Sequence, residues 1–227
     1  MRRLFRRVRC EGDVPGACCG RPVGGRDSAD LAIDELSSIM TMPSILCKLK
    51  GGDRRSIGRS NEVVADVLAD PRLFGSLFAG LSVDDPVVRA RAADAVEKIS
   101  VIHPEYLHPY RAELVGELAR CEQKEVRWHV AQMLPRLRWN ARERQEVCDI
   151  LTGYLCDSSS IVKTFAMQAL ADLTTQAPEL RPAVLRQLKK LTVRGTPAMR
   201  ARGRKLLAEL SGSIRRQARS AKGRRAG

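Results

Sequence analysis

His103, Glu105 and His108 crowd into the run IHPEYLHPY, residues 102–110, and put two imidazoles and a carboxylate close together in the chain. Two histidines bind zinc from one helix when they stand at i and i+4. Here they stand five apart, with Pro104 and Pro109 breaking the segment, so it reads as a connection between helices. His129, beside Trp128, reads as a structural or surface side chain of a helix. The stretch GGDRRSIGRS at 51–60 is Gly-rich, basic and placed before a helix, where free backbone amides can bind phosphate. Its glycine spacing matches neither a P-loop nor a dinucleotide fingerprint. It reads as a linker or N-terminal cap, with phosphate binding as the alternative. The seven cysteines, Cys10, Cys18, Cys19, Cys47, Cys121, Cys148 and Cys156, include no Cys-x-x-Cys pair. They are expected to be reduced thiols of a cytoplasmic protein. No Ser–His–Asp or Cys–His set can be assembled, so no catalytic residue, metal or cofactor is expected.

Charge is the stronger chemical signal. The chain carries a formal +14 over 227 residues. Residues 1–39 contribute +1, residues 40–81 +2 and residues 82–210 +5, whereas residues 211–227 hold six basic and no acidic side chains. Such a tail can contact nucleic acid or an acidic protein, or it can serve as the polar end of a fold. No apolar run is long enough to cross a membrane.

These residues are carried by helices. Hydrophobic residues make up 44% of the chain and aromatics 4%, so a core must be built from Leu, Val, Ala and Ile. Val63, Val64, Val67 and Leu68 follow Asn61-Glu62 at helical spacing, and Asp70-Pro71 ends that helix. Leu73, Phe74, Leu77, Phe78 and Leu81 mark another over 72–81. Four segments then align without gaps: VRARAADAVEKI from Val88, VRWHVAQMLPRL from Val126, VKTFAMQALADL from Val162 and MRARGRKLLAEL from Met199, with starts 38, 36 and 37 residues apart. One column is cationic: Arg89, Arg127, Lys163, Arg200. Another is small: Ala92, Val130, Ala166, Gly203. Two are aliphatic: Val96, Leu134, Leu170, Leu207 and Ile99, Leu137, Leu173, Leu210. Eleven residues upstream of each start stand Leu77, Val115, Leu151 and Leu188, one per preceding helix. Each unit is therefore a pair of antiparallel helices, and a pair cannot bury both its faces without a neighbour.

Over roughly residues 60–210 this pattern resembles the HEAT-repeat family of armadillo-like proteins, most closely at Asp84-Asp85-Pro86-Val87-Val88-Arg89 followed by Ala92 and Ala93. The resemblance implies an all-α, right-handed α-solenoid of about four helix pairs. It also implies a polar ladder in which turn carboxylates meet the second-helix cations, with Glu122 and Asp157 as counterparts of the Asp84-Asp85 pair.

The expected organisation is an Arg-rich extension over 1–43, a basic linker or cap over 44–59, the repeat domain over 60–211 and a flexible basic tail over 212–227 with disorder beyond about Arg216. Residues 1–43 lack the apolar stretch of a secretory signal. Their acidic residues oppose a mitochondrial transit peptide, and translation from Met40 or Met42 is an alternative start. The expected function is a non-enzymatic scaffold for a protein partner. Its candidate binding surface comprises Arg89, Arg127, Lys163, Arg200, Arg202, Arg204, Lys205, Arg215 and Arg216. The alternatives are sequence-independent nucleic-acid binding through the basic C-terminal surface and a HEAT-like DNA-base glycosylase. Ala92, Val96, Ala131, Leu134, Ala166, Leu170 and Leu207 are expected in the core.

Overall fold

Each repeated segment opens on a helix cap at one fixed place, three residues before its first aliphatic position: Asp85, Gln123, Ser159 and Thr196. Asp85 Oδ1 accepts from the amides of Val87 and Val88 at 2.8 and 3.3 Å, and Thr196 Oγ1 accepts from Met199 N at 3.3 Å. Pro86 and Pro197 follow two of these caps, where a missing N–H costs nothing. The computed structural model describes residues 44–53 and 56–223, with side chains for 45–53 and 56–212. The chain divides into two units, Met1–Thr41 and Met42–Gly227, and the described residues fall in the second. The expectations for residues 1–43 lie outside them.

Among the described residues every regular element is helical: α1 Ser44–Cys47, α2 Ser60–Ala69, α3 Phe74–Ala79, α4 Pro86–Ile102, α5 Arg111–Val115, α6 Glu117–Arg120, α7 Lys124–Met133, α8 Ala141–Tyr154, α9 Ser160–Gln176, α10 Arg181–Arg194 and α11 Pro197–Gly223. Short 3-10 turns lie at Pro71–Leu73, Pro104–Tyr110, Leu134–Arg136 and Pro178–Leu180. Packing follows chain order. Helices α2, α4, α7, α9 and α11 each pack on the next, while α3, α6, α8 and α10 pack on the helix that follows them in sequence. No helix among the described residues is long and apolar enough to cross a membrane.

The aliphatic columns form one continuous core. Ala92, Val96, Ile99, Val130, Ala131, Leu134, Leu137, Ala166, Leu170 and Leu173 are buried. Two positions depart from the expected register. Leu207 is half-buried and Leu206 is buried in its stead, and among the described residues no further helix covers the outer side of α11. Val115 is half-buried while Leu114 and Leu118 are buried. Gly116, at φ −88° and ψ −106°, breaks the helix between α5 and α6 and resets the phase. Pro135 likewise converts the end of the second segment to a 3-10 turn, since it cannot donate to the preceding turn. At the small column, Gly203 is favoured by proximity: a Cβ there would run into Thr192 Oγ1 on α10.

Residues 44–59 are not a linker. Ile45, Leu46 and Leu49 are buried in the core, and the segment after them wraps around Arg91 of α4. That guanidinium, 4% exposed, donates to the carbonyls of Leu49 at 2.8 Å, Gly51 at 2.6 Å, Asp53 at 3.1 Å and Ser56 at 3.0 Å. Gly58 sits at φ +53°, and a Cβ there would lie 2.6 Å from Arg91 Cζ. The Gly-rich run is thus a cap folded around a cation, and the packed body begins at about residue 44 rather than 60. The backbone of α11 is helical to Gly223. Arg, Ala, Gln and Lys are good helix formers, and extending an existing helix avoids the cost of nucleation.

Candidate functional site

The cationic column divides in two. Arg89 Nη1 donates to Val83 O at 2.7 Å and Asp84 O at 3.0 Å, while its Nε donates to Gln123 Oε1 at 2.8 Å. One unit later, Arg127 Nε donates to Cys121 O at 2.7 Å and Nη1 meets Asp157 Oδ2 at 2.5 Å. Each arginine thus caps the turn six residues before it and reaches the turn of the next unit. Burial pushes the Asp157 carboxyl upward, but the Ser159 amide and the Arg127 guanidinium together hold it below the usual carboxylate range. The Arg127 guanidinium also lies 5.5 Å from the Tyr154 ring centre, and the Tyr154 hydroxyl donates to Ala119 O at 2.7 Å. Arg89 and Arg127 are therefore internal rungs. Gln123, not Glu122, is the partner of Arg89.

Lys163 is half-buried and its charge acts on Asp157. Arg200, Arg204 and Lys205 are exposed on α11, and Arg202 donates to Gln168 Oε1 at 2.9 Å. Arg215 and Arg216 lie on the same helix, beyond the described side chains. The histidine run folds into the Pro104–Tyr110 turn, where His103 Nδ1 lies 2.8 Å from Glu105 Oε1 and the His103 ring stacks on Tyr106. No group of three metal-ligating side chains occurs among the described residues. The four described cysteines are free thiols.

The structure assembles a different site from residues that helical periodicity treats as ordinary. Ala90 and Asp94 of α4, Trp128 and His129 of α7, Ile161 at the start of α9 and Ile57 of the cap loop surround an open cleft of about 400 Å³. Ile57 and Ile161 are 46% and 47% exposed, and Trp128 is half-buried between the helices. Two of the cleft's polar members are engaged within the fold: Arg91 in the cap, and Asp94, whose Oδ2 accepts from Ser60 Oγ at 2.5 Å and from Lys98 Nζ at 2.6 Å. A sequence signal for this cleft was present in Trp128 itself, a large aromatic one place after the ladder cation. The contribution of Ile57, 71 residues earlier, follows only from the fold of the cap.

His129 closes the floor of the cleft. It is 9% exposed, and its Nδ1 is buried without a hydrogen-bond partner among the described residues. Burial lowers its pKa to about 4. The charged groups acting on it oppose one another: Asp94 and Glu97 of α4 favour the cation, and Lys98 of α4 and Arg136 of the turn after α7 disfavour it. An unfolded histidine titrates near 6.5. Between these values the unfolded chain takes up a proton that the folded chain refuses. Stability is therefore complete above about pH 6.5 and falls by about 3 kcal/mol as pH drops through 4. His129→Leu is expected to remove that loss, so that urea midpoints of variant and wild type diverge between pH 7.5 and 4.5. Parallel pH profiles would show that His129 does not titrate in this way.

Comparison with family models, with curated proteins and with solved structures gives no match to this chain.

Proposed function

We propose that the protein is a non-enzymatic interaction scaffold, a right-handed α-solenoid of four HEAT-like helix pairs that receives an apolar side chain of a protein partner in the Trp128 cleft. The observation that carries this reading is the cleft itself. It spans three successive layers, and two exposed isoleucines flank a half-buried tryptophan on its walls. Aromatic anchors in pockets of this kind dominate binding energy at protein interfaces. Arg89 and Arg127, two members of the cationic column, are spent on carbonyls and neighbouring turns, which supports a role in holding the stack. A cytoplasmic location accords with four free thiols among the described residues.

Affinity capture from nuclease-treated lysate tests the reading, using the wild-type chain beside a variant carrying Trp128→Ala and Ile161→Asp. The expected result is a set of protein partners that survives nuclease and is lost from the variant while its thermal melt remains cooperative. Loss of every partner on nuclease treatment, or their retention by the variant, would contradict it. Release of alkylated bases from DNA by the purified chain would replace it with the glycosylase alternative.

A further inference from the structure

All of the chain's net charge resides at one end. Residues 181–227 hold 15 of the 40 basic side chains and one of the 26 acidic ones, Glu209, while the preceding 180 residues hold 25 of each. The positive end is thus the whole last helix pair, not the tail alone. Its cations also differ in state from those of the body. Among the described residues before it, eight lysines and arginines sit within 4.0 Å of a carboxylate, as Lys48 does with Asp66, Arg111 with Glu143 and Arg136 with Glu97. On α10, Arg186, Lys189, Lys190 and Arg194 are exposed and make no ion pair among the described residues. On α11 the same holds for Arg200, Arg204 and Lys205.

Helix geometry gathers these charges. At 100° per residue, positions 200, 204, 205, 215, 216, 219 and 222 of α11 fall within an arc of about 160°, opposite the buried Met199, Gly203, Leu206 and Leu210. From 200 to 222 the arc extends about 33 Å along the helix. On α10, Arg186, Lys189 and Lys190 likewise lie opposite its buried Val184 and Leu188, with Arg194 at the margin of that side.

We infer that the outer face of the α10–α11 pair binds the phosphate backbone of double-stranded nucleic acid without regard to sequence. Three observations select this partner among polyanions. Residues 181–227 contain no aromatic side chain, so the face has nothing on which unpaired bases could stack, as single-strand binders require. The apolar side of α11 is already buried against α9 and α10, leaving no apolar face to enter a lipid headgroup layer. An acidic protein would be held by apolar or aromatic anchors at the centre of its interface, and among the described residues the face offers only Val193, 74% exposed. A regular line of phosphates asks only for cations spread along a helix, as Arg186, Lys189, Lys190 and Arg194 are on α10 and Arg200, Arg204 and Lys205 on α11.

The test is fluorescence anisotropy of a labelled 30-base-pair DNA duplex of mixed sequence with the full chain across a salt series. A hairpin variant carries Arg186→Gln, Lys190→Gln, Arg194→Gln, Arg200→Gln and Arg204→Gln; a control carries Arg120→Gln, Arg138→Gln and Arg142→Gln on the body. The expected result is tight binding at low salt that weakens steeply with salt. The hairpin variant should bind at least about 100-fold more weakly, with the log–log salt slope reduced by about 0.9 for each phosphate contact removed. The control should bind within about threefold of wild type per contact class, because its cations lie outside the face. A loss in the control equal to that in the hairpin variant would overturn the assignment of the surface. Binding of oligo(dT), polyglutamate or phosphatidylserine vesicles as tight as duplex binding would overturn the assignment of the partner, as would duplex binding insensitive to salt.

Discussion

Arg91→Leu is expected to detach residues 45–58 from the rest of the fold, at a cost of roughly 3–5 kcal/mol. The guanidinium is the common donor for carbonyls from Leu49 to Ser56, and leucine removes all of these hydrogen bonds, leaving the buried Leu49 carbonyl without its donor. The Leu49 carbonyl can recover a hydrogen bond only from water, which requires the segment to lift and expose Ile45, Leu46 and Leu49. The loss should therefore be local first. Hydrogen exchange should accelerate over residues 45–58 and along α2, while amides of α9 keep their protection. Arg91→Lys should rescue little, because one ammonium cannot span carbonyls that the planar guanidinium reaches from three nitrogens. Unchanged exchange over 45–58 in Arg91→Leu would show that apolar packing alone holds the cap.

Leu134→Ala is expected to destabilise the whole helix stack by about 2–5 kcal/mol, read as a shift in urea midpoint. Leu134 has no exposed surface, caps the C-terminal end of α7, and supplies the carbonyl that accepts from Trp139 Nε1 at 2.7 Å. A cavity there cannot collapse easily, because Pro135 and the stacked α9 constrain the backbone on both sides. Leu207→Ala, at the equivalent column of the last helix, is expected to cost less than about 1.5 kcal/mol, since that side chain is half-buried. Equal losses at the two sites would contradict the placement of Leu207 at the open end of the stack.

The contrast between these two leucines also marks what the sequence made legible. Periodicity and the 36–38-residue recurrence located the helices and most of the core, because burial of aliphatic side chains at 3–4-residue spacing leaves a direct trace in residue type. Recurrence could not show that the last column is half open, since it says which positions are equivalent and not which unit lacks a neighbour. Arg91 was equally opaque. Its partners are main-chain carbonyls 35 to 42 residues away, and a carbonyl carries no residue identity. The ladder was legible at its cations Arg89 and Arg127 and at Asp157, which Arg127 meets, but the choice of Gln123 over Glu122 turns on a one-residue difference in the path of a turn. The concentration of charge after residue 180 was countable from the outset. Drawing the boundary at the last repeat helix hid it, because α10 was counted with the neutral body.

Emission from Trp128 tests the central claim most directly, that a protein partner is received in the cleft between α4, α7 and α9. The chain has two tryptophans, and Trp139 is buried, so Trp139→Phe leaves a protein whose indole fluorescence comes from the cleft alone. Titration with a partner isolated by nuclease-resistant capture should shift that emission to the blue and protect it from acrylamide quenching, in parallel with binding measured independently. Emission and quenching that stay unchanged at saturation would place the partner elsewhere and contradict the account.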